Sequence, residues 1–426
     1  MSAGLLTDRY ELTMLDAALR DGTSNRRCVF EVFARRLPEG RRYGVVAGTG
    51  RLLEEIARFG FPADDLAWLS EQGVVSPASA GFLADYRFTG DVDGYPEGEL
   101  FFPGSPILSV RGTFAEAVVL ETLVLSVLNH DCAIAAAAAR MVSAAGGRPL
   151  IEMGSRRTHE RAAVASARAA YLAGFAATSN LAAGRQYALP TTGTAAHSFT
   201  LLHDDERAAF ESQLAALGVG TTLLVDTYDI TRGIETAVAA AGPQLGAVRI
   251  DSGDLAVLAH QARAQLDSLG ATGTRIVLSG DLDEYAIAAL AAAPVDSYGA
   301  GTAVVTGSGA PTAGLVYKVV DIEGRPVAKR SEHKASRGGA KRALRRHRET
   351  GTATEEVVHP LGEPPPAQDY DRVLPRSLLR AGEPAADLPT LAESRAHLAA
   401  AMVTLPWDGL KLSRGEPALT TTFLDN

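Results

Sequence analysis

Short apolar runs that end in polar residues recur through the middle of the chain. Each run precedes a segment with helical spacing of apolar positions, an alternation typical of parallel β/α units. The predicted strands span residues 149–154, 186–190, 223–227, 247–251, 276–280 and 295–299. Their spacing indicates an α/β fold in which the units form a (β/α) barrel. A doubly wound sheet is the alternative, but its glycine fingerprint after a first strand is missing.

The chain on either side of these units has a different pattern. Near the N-terminus, Thr7 or Asp8 is suited to cap a helix that carries Leu12, Leu15 and Leu19 on one face. Strand-like and helical segments then follow in mixed order, which is typical of an α+β domain. The predicted organisation is an N-terminal α+β domain (1–130), an α/β barrel (131–310) and a C-terminal segment that packs back on the first domain (311–426).

One Thr/Gly-rich stretch, residues 189–199, lies between the predicted strand at 186–189 and a helical pattern that begins at Ser198. The Thr/Gly-rich middle of this stretch ends at His197, which lies near the hydroxyls of Thr192 and Thr194 in the sequence. The free N–H groups of a helix entrance suit phosphate, and a neutral imidazole there can accept a phosphoryl group or act as a base. A histidine that merely caps the helix is an equally good interpretation of this stretch alone.

The polar ends of the predicted strands would meet at one rim of a barrel, where functional groups gather. The carboxylates suit Mg²⁺ or sugar hydroxyls, the arginines suit phosphate or carboxylate, and the glycines let backbone N–H groups approach an anion. These residues are Glu152, Asp226, Asp251 and Asp254; Arg156, Arg157 and Arg249; Gly253, Gly280, Gly299 and Gly301; and the hydroxyl of Thr302. Each alone is more typical of a plain turn or surface, but together they predict a site for a phosphorylated, hydroxyl-rich substrate and a small anion, with Mg²⁺.

Composition narrows the classes of function. The 426 residues are 46% hydrophobic and 21% charged, and the formal net charge is -9, which is typical of a globular protein and argues against a general nucleic-acid binder. Two cysteines, Cys28 and Cys132, exclude a disulfide scaffold and a four-cysteine zinc site. The N-terminus lacks a signal-peptide pattern, and the longest apolar stretches are short for a membrane span. We therefore expect a cytoplasmic protein that binds neither nucleic acid nor membrane.

Eight ordered motifs carry a family resemblance. They lie at residues 5–11 (LLTDRYE), 30–36 (FEVFARR), 151–157 (IEMGSRR), 179–184 (SNLAAG), 193–199 (GTAAHSF), 224–229 (LVDTYD), 248–254 (VRIDSGD) and 299–306 (GAGTAVVT). From Leu5 to about Arg345, the chain resembles the nicotinate phosphoribosyltransferases. The resemblance implies an irregular α/β barrel of the type II phosphoribosyltransferase kind, with an N-terminal domain beside it.

The resemblance also implies a reaction. Nicotinate and phosphoribosyl pyrophosphate would give nicotinate mononucleotide and pyrophosphate, with ATP hydrolysis coupled through phosphorylated His197. Tyr10, Thr194 and Arg249 resemble the nicotinate contacts, and in the family the tyrosine crosses a dimer interface, so a homodimer is implied. Thr302 and its neighbours Gly299 and Gly301 resemble the family's phosphate cradle for the ribose 5-phosphate. The residue types at the strand ends predict the remaining roles, which are catalysis by Asp251; substrate binding by Glu152, Arg156, Arg157, Asp226, Ser252, Gly253 and Gly280; and Mg²⁺ binding by Asp251 and Asp254.

The sequence departs from the family pattern in two loops. Residues 279–281 (SGD) occupy a loop that often carries an asparagine, and residues 334–341 lack the usual proline of a lysine-rich loop. Some relatives carry a C-terminal zinc site, but no cysteine follows Cys132, so no zinc is expected. The alternatives are a nicotinamide or quinolinate phosphoribosyltransferase, a sugar-phosphate isomerase, and a catalytically silent nucleotide-binding barrel that regulates a partner.

Overall fold

The computed structural model describes residues 3–330 and 336–424. The chain forms two compact units by its internal contacts. The first unit comprises Met1–Ala136 together with Ala310–Asn426, and the second comprises Ala137–Gly309. Part of the basic loop at 334–341, including Lys334, lies outside the described residues.

The first part of the chain alternates helices with short strands. Its elements are a 3₁₀ turn (Ala3–Leu6), α1 (Arg9–Asp21), β1 (Arg27–Ala34), β2 (Gly44–Val45), α2 (Thr49–Arg58), α3 (Ala63–Glu71), α4 (Pro77–Ala84), β3 (Asp91–Gly94), β4 (Leu100–Phe101), β5 (Leu108–Thr113), α5 (Phe114–Val118) and α6 (Glu121–Ala145). Helix α1 buries Leu12 and Leu15 and ends at Gly22, whose φ of 79° is the left-handed conformation that glycine adopts readily.

The middle of the chain is built from β/α units. Its elements are β6 (Leu150–Glu152), α7 (Glu160–Leu172), β7 (Ala177–Thr178), α8 (Leu181–Tyr187), α9 (His197–Leu202), α10 (Glu206–Leu217), β8 (Thr222–Leu224), α11 (Ile230–Ala241), β9 (Ala247–Ile250), α12 (Leu255–Ser268), β10 (Arg275–Leu278), α13 (Glu284–Ala289), β11 (Ser297–Ala300) and α14 (Thr302–Val305). The side chains of Asp205, Asp229, Asp254 and Asp283 each accept a hydrogen bond from a backbone N–H of the helix that follows, which fixes where α10, α11, α12 and α13 begin.

The last part of the chain is mostly antiparallel strand followed by one long helix. Its elements are β12 (Leu315–Ile322), β13 (Arg325–Pro326), β14 (Lys341–His347), β15 (Ala353–Pro360), β16 (Arg372–Val373), β17 (Arg376–Arg380), β18 (Glu383–Pro384), α15 (Leu391–Thr404), a 3₁₀ turn (Trp407–Leu410) and β19 (Thr420–Phe423). Helix α15 begins at a reciprocal capping box formed by Thr390 and Glu393.

The first unit is organised by sheets that combine strands from both ends of the chain. A seven-stranded sheet has the order β13-β12-β1-β5-β3-β17-β18, and a four-stranded sheet has the order β16-β14-β15-β19. The central strand β1 pairs antiparallel with both β12 and β5. Its inward side chains, including Phe30 and Val32, belong to a large apolar core.

A group of buried charged side chains, here called the Arg345 cluster, lies in the first unit. Arg345 is fully buried and donates to Glu99 at 2.6 Å and to Glu356 at 2.7 Å. Glu99 also accepts from Arg372 at 2.6 Å and contacts His397 at 2.9 Å. Burial alone would raise the pKa of Glu99, but the His397 hydrogen bond and the two arginines outweigh burial and hold that pKa well below its usual value.

The second unit contains a six-stranded sheet in the order β7-β6-β11-β10-β9-β8, and all five pairs of neighbouring strands in it are parallel. Strands β9 and β10 are almost wholly buried, as expected for parallel strands covered on both faces. The predicted α/β class with parallel β/α units is therefore confirmed. All six carboxyl ends lie at the same edge of this sheet.

One predicted strand is wrong. Residues 186–190 do not form a strand, because Leu181–Tyr187 is helix α8, which ends at Ala188 with a φ of 54°. The strand at this place in the sheet is the two-residue β7, which the sequence pattern did not indicate. Thr191 extends it through an isolated parallel bridge to Thr178.

The segment from Phe114 to Ala145 has the length and apolar composition of a membrane span. It is longer than the apolar stretches recognised in the sequence. However, 67% of its most apolar window is buried inside the protein, as it is in core helices of soluble proteins. The segment is therefore weak evidence for a membrane.

Candidate active site

A cleft of about 470 Å³ lies in the second unit, at the carboxyl ends of the parallel strands. This is the edge at which ligands bind in α/β sheets and barrels. The lining residues come from the ends of β8, β9 and β11, from the loops after β6, β7, β9, β10 and β11, and from the stretch at 192–197 between α8 and α9. They include Ser155, Arg156, Arg157, Ser179, Thr192, Gly193, Thr194, His197, Arg249, Asp251, Ser279, Gly280, Asp281, Gly299, Gly301 and Thr302.

Arg249 lies near the end of β9 with a side chain that is only 13% exposed. Its Nε donates to the hydroxyl of Ser279 at 2.7 Å, and its Nη1 donates to the hydroxyl of Thr194 at 3.1 Å. Its Nη2 donates to Asp251 at 2.6 Å. These bonds hold the guanidinium in one orientation at the wall of the cleft, where it can bind a planar anion.

Asp251 follows β9 and is partly exposed to the cleft. Burial alone would raise its pKa, but hydrogen bonds from Ser279 and Arg249 and the Arg249 charge outweigh burial and lower the pKa of Asp251 below its usual value. Asp251 is therefore ionised at neutral pH. A negative charge at this position can stabilise positive charge that develops on a bound substrate.

His197 is the first residue of α9, and its ring is not used to cap that helix. The N-cap is Ala196, with no side-chain cap hydrogen bond. The Nδ1 of His197 instead lies 3.1 Å from the Thr227 hydroxyl, and its Nε2 lies 3.8 Å from Asp226. Because the side chain is 42% exposed, the ring is accessible from the cleft. The interpretation of His197 as a helix cap is therefore wrong.

Asp226 is held by its second oxygen and faces His197 with its first. Oδ2 accepts from the backbone N–H of Asp251 at 2.9 Å and from the hydroxyl of Ser252 at 2.8 Å. Oδ1 is buried and has no hydrogen-bond partner among the residues that the structure describes. This oxygen is available to a positive charge on the imidazole.

Glu206, at the start of α10, adds a second buried carboxyl to this region. It is 9% exposed, and its Oε1 has no hydrogen-bond partner within the described ranges. Burial, together with the charges of Asp229 and Asp226, raises the pKa of Glu206 to about 7. Sequence analysis did not single out Glu206, because a Glu in the first turn of a helix is common.

The loops after β6, β10 and β11 supply positively charged side chains, hydroxyls and backbone segments that a ligand can approach closely. Arg156 and Arg157 follow β6, and Gly301 and Thr302 follow β11. Gly280 has a φ of 125°, and a Cβ there would lie 2.9 Å from the carbonyl oxygen of Asp251. Only glycine fits at this position, because the loops that follow β9 and β10 lie too close together for a side chain. The arrangement suits phosphate oxygens.

Glu152, a predicted substrate ligand, is 1% exposed and lies outside the lining of the cleft. One of its oxygens accepts from the backbone N–H of Gly154, and the other accepts from the Thr178 hydroxyl at 2.6 Å. Burial raises the pKa of Glu152, although these hydrogen bonds partly offset that effect. Its contacts join the loop after β6 to the end of β7.

Several other predicted residues lie beside the cleft or away from it. Ser252 binds Asp226, Gly253 adopts a φ of 91° in the turn after β9, and Asp254 accepts from the backbone N–H of Val257 at 3.3 Å as the cap of α12. Tyr10 lies on α1 of the first unit and is 46% exposed. Burial and the nearby Glu121 and Glu11 charges raise the pKa of Tyr10.

The predicted magnesium ligands do not form a site by themselves. Asp251 is engaged by Arg249 and Ser279, and Asp254 caps a helix. Among residues 3–330 and 336–424, no group of three or more His, Cys, Asp or Glu side chains is placed to hold a metal ion. The donor set fits Mg²⁺ only in the common arrangement in which substrate phosphates and water supply most of the ligands.

The structure adds residues that the motifs did not assign to the site. Thr227 faces the ring of His197, and the side-chain amide of Asn180 donates to Ser155 at 3.0 Å and holds the loop after β6. Both belong to motifs of the family resemblance, at 224–229 and 179–184. Their position within those motifs was the available signal, but their contacts depend on the tertiary fold.

Comparison with known proteins agrees with this fold. The family model described as the nicotinate phosphoribosyltransferase N-terminal domain matches residues 5–129. Nicotinate phosphoribosyltransferase pncB1 of Mycobacterium tuberculosis is 66% identical over 427 aligned residues, which cover 98% of this chain and 95% of the relative.

Two solved structures are also similar. The crystal structure of human nicotinic acid phosphoribosyltransferase matches with a TM-score of 0.84 and 26% identity, covering 98% of this chain and 97% of the human one. A nicotinate-nucleotide pyrophosphorylase from Pyrococcus furiosus matches with a TM-score of 0.79 and 24% identity, covering 94% and 95% of the two chains, and supports the fold alone. The near full-length identity to the mycobacterial relative decides the family: the chain belongs to the nicotinate phosphoribosyltransferases.

Proposed function

We propose that this protein joins nicotinate to phosphoribosyl pyrophosphate, giving nicotinate mononucleotide and pyrophosphate in the biosynthesis of NAD. The observation that carries the proposal is the composition of one cleft. A fixed arginine, Arg249, and an accessible histidine with a carboxylate partner, His197 with Asp226, both lie at the carboxyl ends of the parallel strands. The relatives with this fold bear the name of this activity.

Nicotinate recognition is assigned to Arg249 and Thr194. A guanidinium opposite the carboxylate of nicotinate favours the acid over the neutral amide, which cannot form a charged bidentate pair. In a homodimer, Tyr10 of the second copy contributes the aromatic contact that the family resemblance implies. Its exposed position on α1 is compatible with that role.

The bond-forming step takes place at the anomeric carbon of the ribose. The pyridine nitrogen of nicotinate donates its electron pair to this carbon, and the bond from the carbon to the pyrophosphate oxygen breaks. Pyrophosphate leaves with that electron pair. The ribose passes through an oxocarbenium-like state, whose positive charge the ionised Asp251 stabilises.

The phosphate groups are assigned to the glycine-rich strand ends. Gly299, Gly301 and Thr302 offer backbone N–H groups and a hydroxyl to the ribose 5-phosphate, and Arg156 and Arg157 offer cations to the phosphates. When bound, Mg²⁺ neutralises charge on the departing pyrophosphate. Asp251 is the carboxylate of the predicted pair that lines the cleft, so it would be the residue to hold that ion, with substrate phosphates and water supplying the other ligands.

ATP hydrolysis is coupled through His197. A ring nitrogen of His197 attacks the γ-phosphorus of ATP, the bond to the bridging oxygen breaks, and ADP leaves with its electron pair. The buried Oδ1 of Asp226 stabilises the positive charge that the imidazole develops. Water then hydrolyses the N–P bond to phosphate. While it lasts, the phosphoryl group adds about 1.5 to 2 negative charges by analogy with phosphoserine and draws the cleft arginines toward it.

Two alternatives make different predictions. A nicotinamide-specific enzyme has no use for the Arg249 guanidinium as a carboxylate partner. A silent nucleotide-binding barrel has no need for an accessible His197 beside a buried carboxylate.

The experiment measures the release of pyrophosphate from phosphoribosyl pyrophosphate in the presence of Mg²⁺. Nicotinate, nicotinamide and quinolinate are compared, each with and without ATP, for the wild type and His197→Ala.

We expect release with nicotinate only, stimulated by ATP in the wild type and not in His197→Ala. Preference for nicotinamide would identify the amide-specific enzyme. Release from no base would support the silent barrel. Nicotinate-dependent release that ignores ATP and survives His197→Ala would keep the transferase and remove the phosphohistidine from its mechanism.

A further inference from the structure

Ser279 lies at the end of β10 and is bonded to both charged residues of the nicotinate side of the cleft. Its hydroxyl oxygen accepts from Nε of Arg249 at 2.7 Å, and the hydroxyl donates to Oδ1 of Asp251. The residue is 2% exposed. Ser279 therefore closes a triangle of hydrogen bonds with Arg249 and Asp251, in which its hydroxyl uses its single donor and one of its two acceptor lone pairs.

The backbone fixes Ser279 in this place. Its N–H donates to the carbonyl of Ile250 at 3.0 Å, which continues the parallel pairing of β10 with β9. On the other side, a Cβ at Gly299 would approach the Cβ of Ser279 to 3.1 Å, so little space is left there. A small side chain with one hydroxyl fits between the two neighbouring strand ends.

The contacts of Arg249 decide which of its donors remain for a ligand. A guanidinium has five N–H groups, one on Nε and two on each terminal nitrogen. Ser279 takes the Nε donor, Thr194 takes one on Nη1, and Asp251 takes one on Nη2. Counting the partners in the described parts of the chain, one N–H is left on each terminal nitrogen, which is the number that a carboxylate accepts in bidentate geometry.

We propose that Ser279 is a positioning residue that holds Arg249 with one terminal donor on each nitrogen turned to the carboxylate of nicotinate, and so contributes to selection of the acid over the amide. This inference rests on the proposed function. It gives the loop at 279–281 a role in substrate choice through Arg249. Without the Ser279 hydroxyl, Nε of Arg249 loses its acceptor. Only Thr194 and Asp251 then hold the guanidinium, which is less restrained and can turn part of the way from the ligand.

The experiment compares steady-state constants of the full-length wild type and Ser279→Ala. We expect the KM for nicotinate to rise about tenfold, as expected for loss of one hydrogen bond to a charged group. The preference for nicotinate over nicotinamide should fall by the same factor. The kcat at saturating nicotinate and the KM for phosphoribosyl pyrophosphate should change by a smaller factor than the KM for nicotinate, because Asp251 loses one hydrogen bond but keeps its bond to Arg249. Ser166→Ala, which removes another buried hydroxyl of the same unit, should leave the nicotinate KM unchanged.

The proposal is overturned if Ser279→Ala retains the wild-type nicotinate KM, or if all substrate constants change together while the preference for the acid is kept. If Ser279→Ala does not fold, Ser279→Cys, which keeps the size and only a weak hydrogen bond, replaces it under the same criteria. Failure of the proposed function looks different, because the wild type itself would then release no pyrophosphate with nicotinate.

Discussion

Buried carboxylates occur in both units, and their surroundings differ. In the Arg345 cluster of the first unit, Glu99 is bonded by Arg345, Arg372 and His397, and its pKa is held well below the usual value. In the second unit, Glu206 has Asp226 and Asp229 as charged neighbours, and its pKa is raised to about 7. The first arrangement compensates each negative charge, whereas the second leaves it uncompensated.

On the proposed function, the contrast separates charges that stabilise the fold from charges that take part in the reaction. A buried carboxylate matched by cations is saturated and has no capacity to bind anything else. Asp226 and Glu206 each keep a buried oxygen with no hydrogen-bond partner among the residues described, and His197 is the cationic group that can come to face Asp226. The second unit therefore keeps buried carboxylate oxygens that can stabilise a histidine when it becomes positively charged.

The largest effect is expected in the saturated cluster. Arg345→Met should lower the free energy of unfolding of the first unit by about 3–5 kcal/mol, because Glu99 and Glu356 are left buried without their shared cation. Both tryptophans, Trp68 and Trp407, lie in this unit, so urea unfolding followed by tryptophan fluorescence measures it. Arg342→Met, at a half-buried position of the same strand, is the control and should cost less than about 1 kcal/mol. Equal losses in the two variants would show that the Arg345 cluster does not carry the stability.

A smaller effect is expected where the charge is uncompensated. Asp226→Asn should lower the stimulation of pyrophosphate release by ATP about 10- to 100-fold, because a neutral amide no longer stabilises the charged imidazole of His197. Retention of label from γ-labelled ATP on the protein should fall in parallel.

Asp229→Asn is the matched control for Asp226→Asn. It removes a nearby negative charge, while asparagine caps α11 as well as aspartate does. Its ATP stimulation should stay within about twofold of the wild type. An equal loss of stimulation in both variants would contradict the specific pairing of Asp226 with His197. It would show that the combined negative charge of Asp226, Asp229 and Glu206 is what matters.

The smallest effect concerns Glu206 and pH. Because its folded pKa of about 7 lies above the usual value of a free glutamate, its contribution to stability is complete below about pH 4.5 and is lost as pH rises through 7. Glu206→Gln should therefore gain about 2 kcal/mol relative to the wild type between pH 5 and pH 8. Urea unfolding followed by far-UV circular dichroism at the two pH values measures this gain. Glu211→Gln, exposed on the same helix, should gain nothing, and a gain equal to that of Glu206→Gln would contradict the role of burial.

The fold was predictable where strand patterns were strong and long. The ends of β6, β8, β9, β10 and β11 lie within or next to the predicted apolar runs. The prediction of a strand at 186–190 was wrong because apolar residues in a short window do not distinguish a strand from the end of a helix. Helix α8 includes the first two residues of this run. The strand β7 has only two residues, too few for any periodicity.

The site was predictable at the level of residue type and not at the level of contacts. Arg249 and Asp251 lie at the end of β9, a strand that the pattern identified. His197 was singled out by the Thr/Gly-rich stretch, although the strand predicted before it is helix α8. The structure brings all three residues into one cleft. Glu152 had the same kind of position, but its contacts are with Gly154 and Thr178. Whether a strand-end carboxylate faces the cleft or the next loop depends on side-chain direction and neighbours, which one sequence does not contain.

The bridge between Thr178 and Thr191 limits how far the reactive histidine can travel. The N–H of Thr192 donates to the carbonyl of Thr178 at 3.0 Å, so the chain is anchored to the sheet immediately before the loop. The five residues from Gly193 to His197 can extend about 17 Å at most from that anchor. In the proposed reaction, the γ-phosphoryl group of ATP must therefore bind within this distance of Thr192. ATP and the ribose substrate would then react at the same end of the sheet.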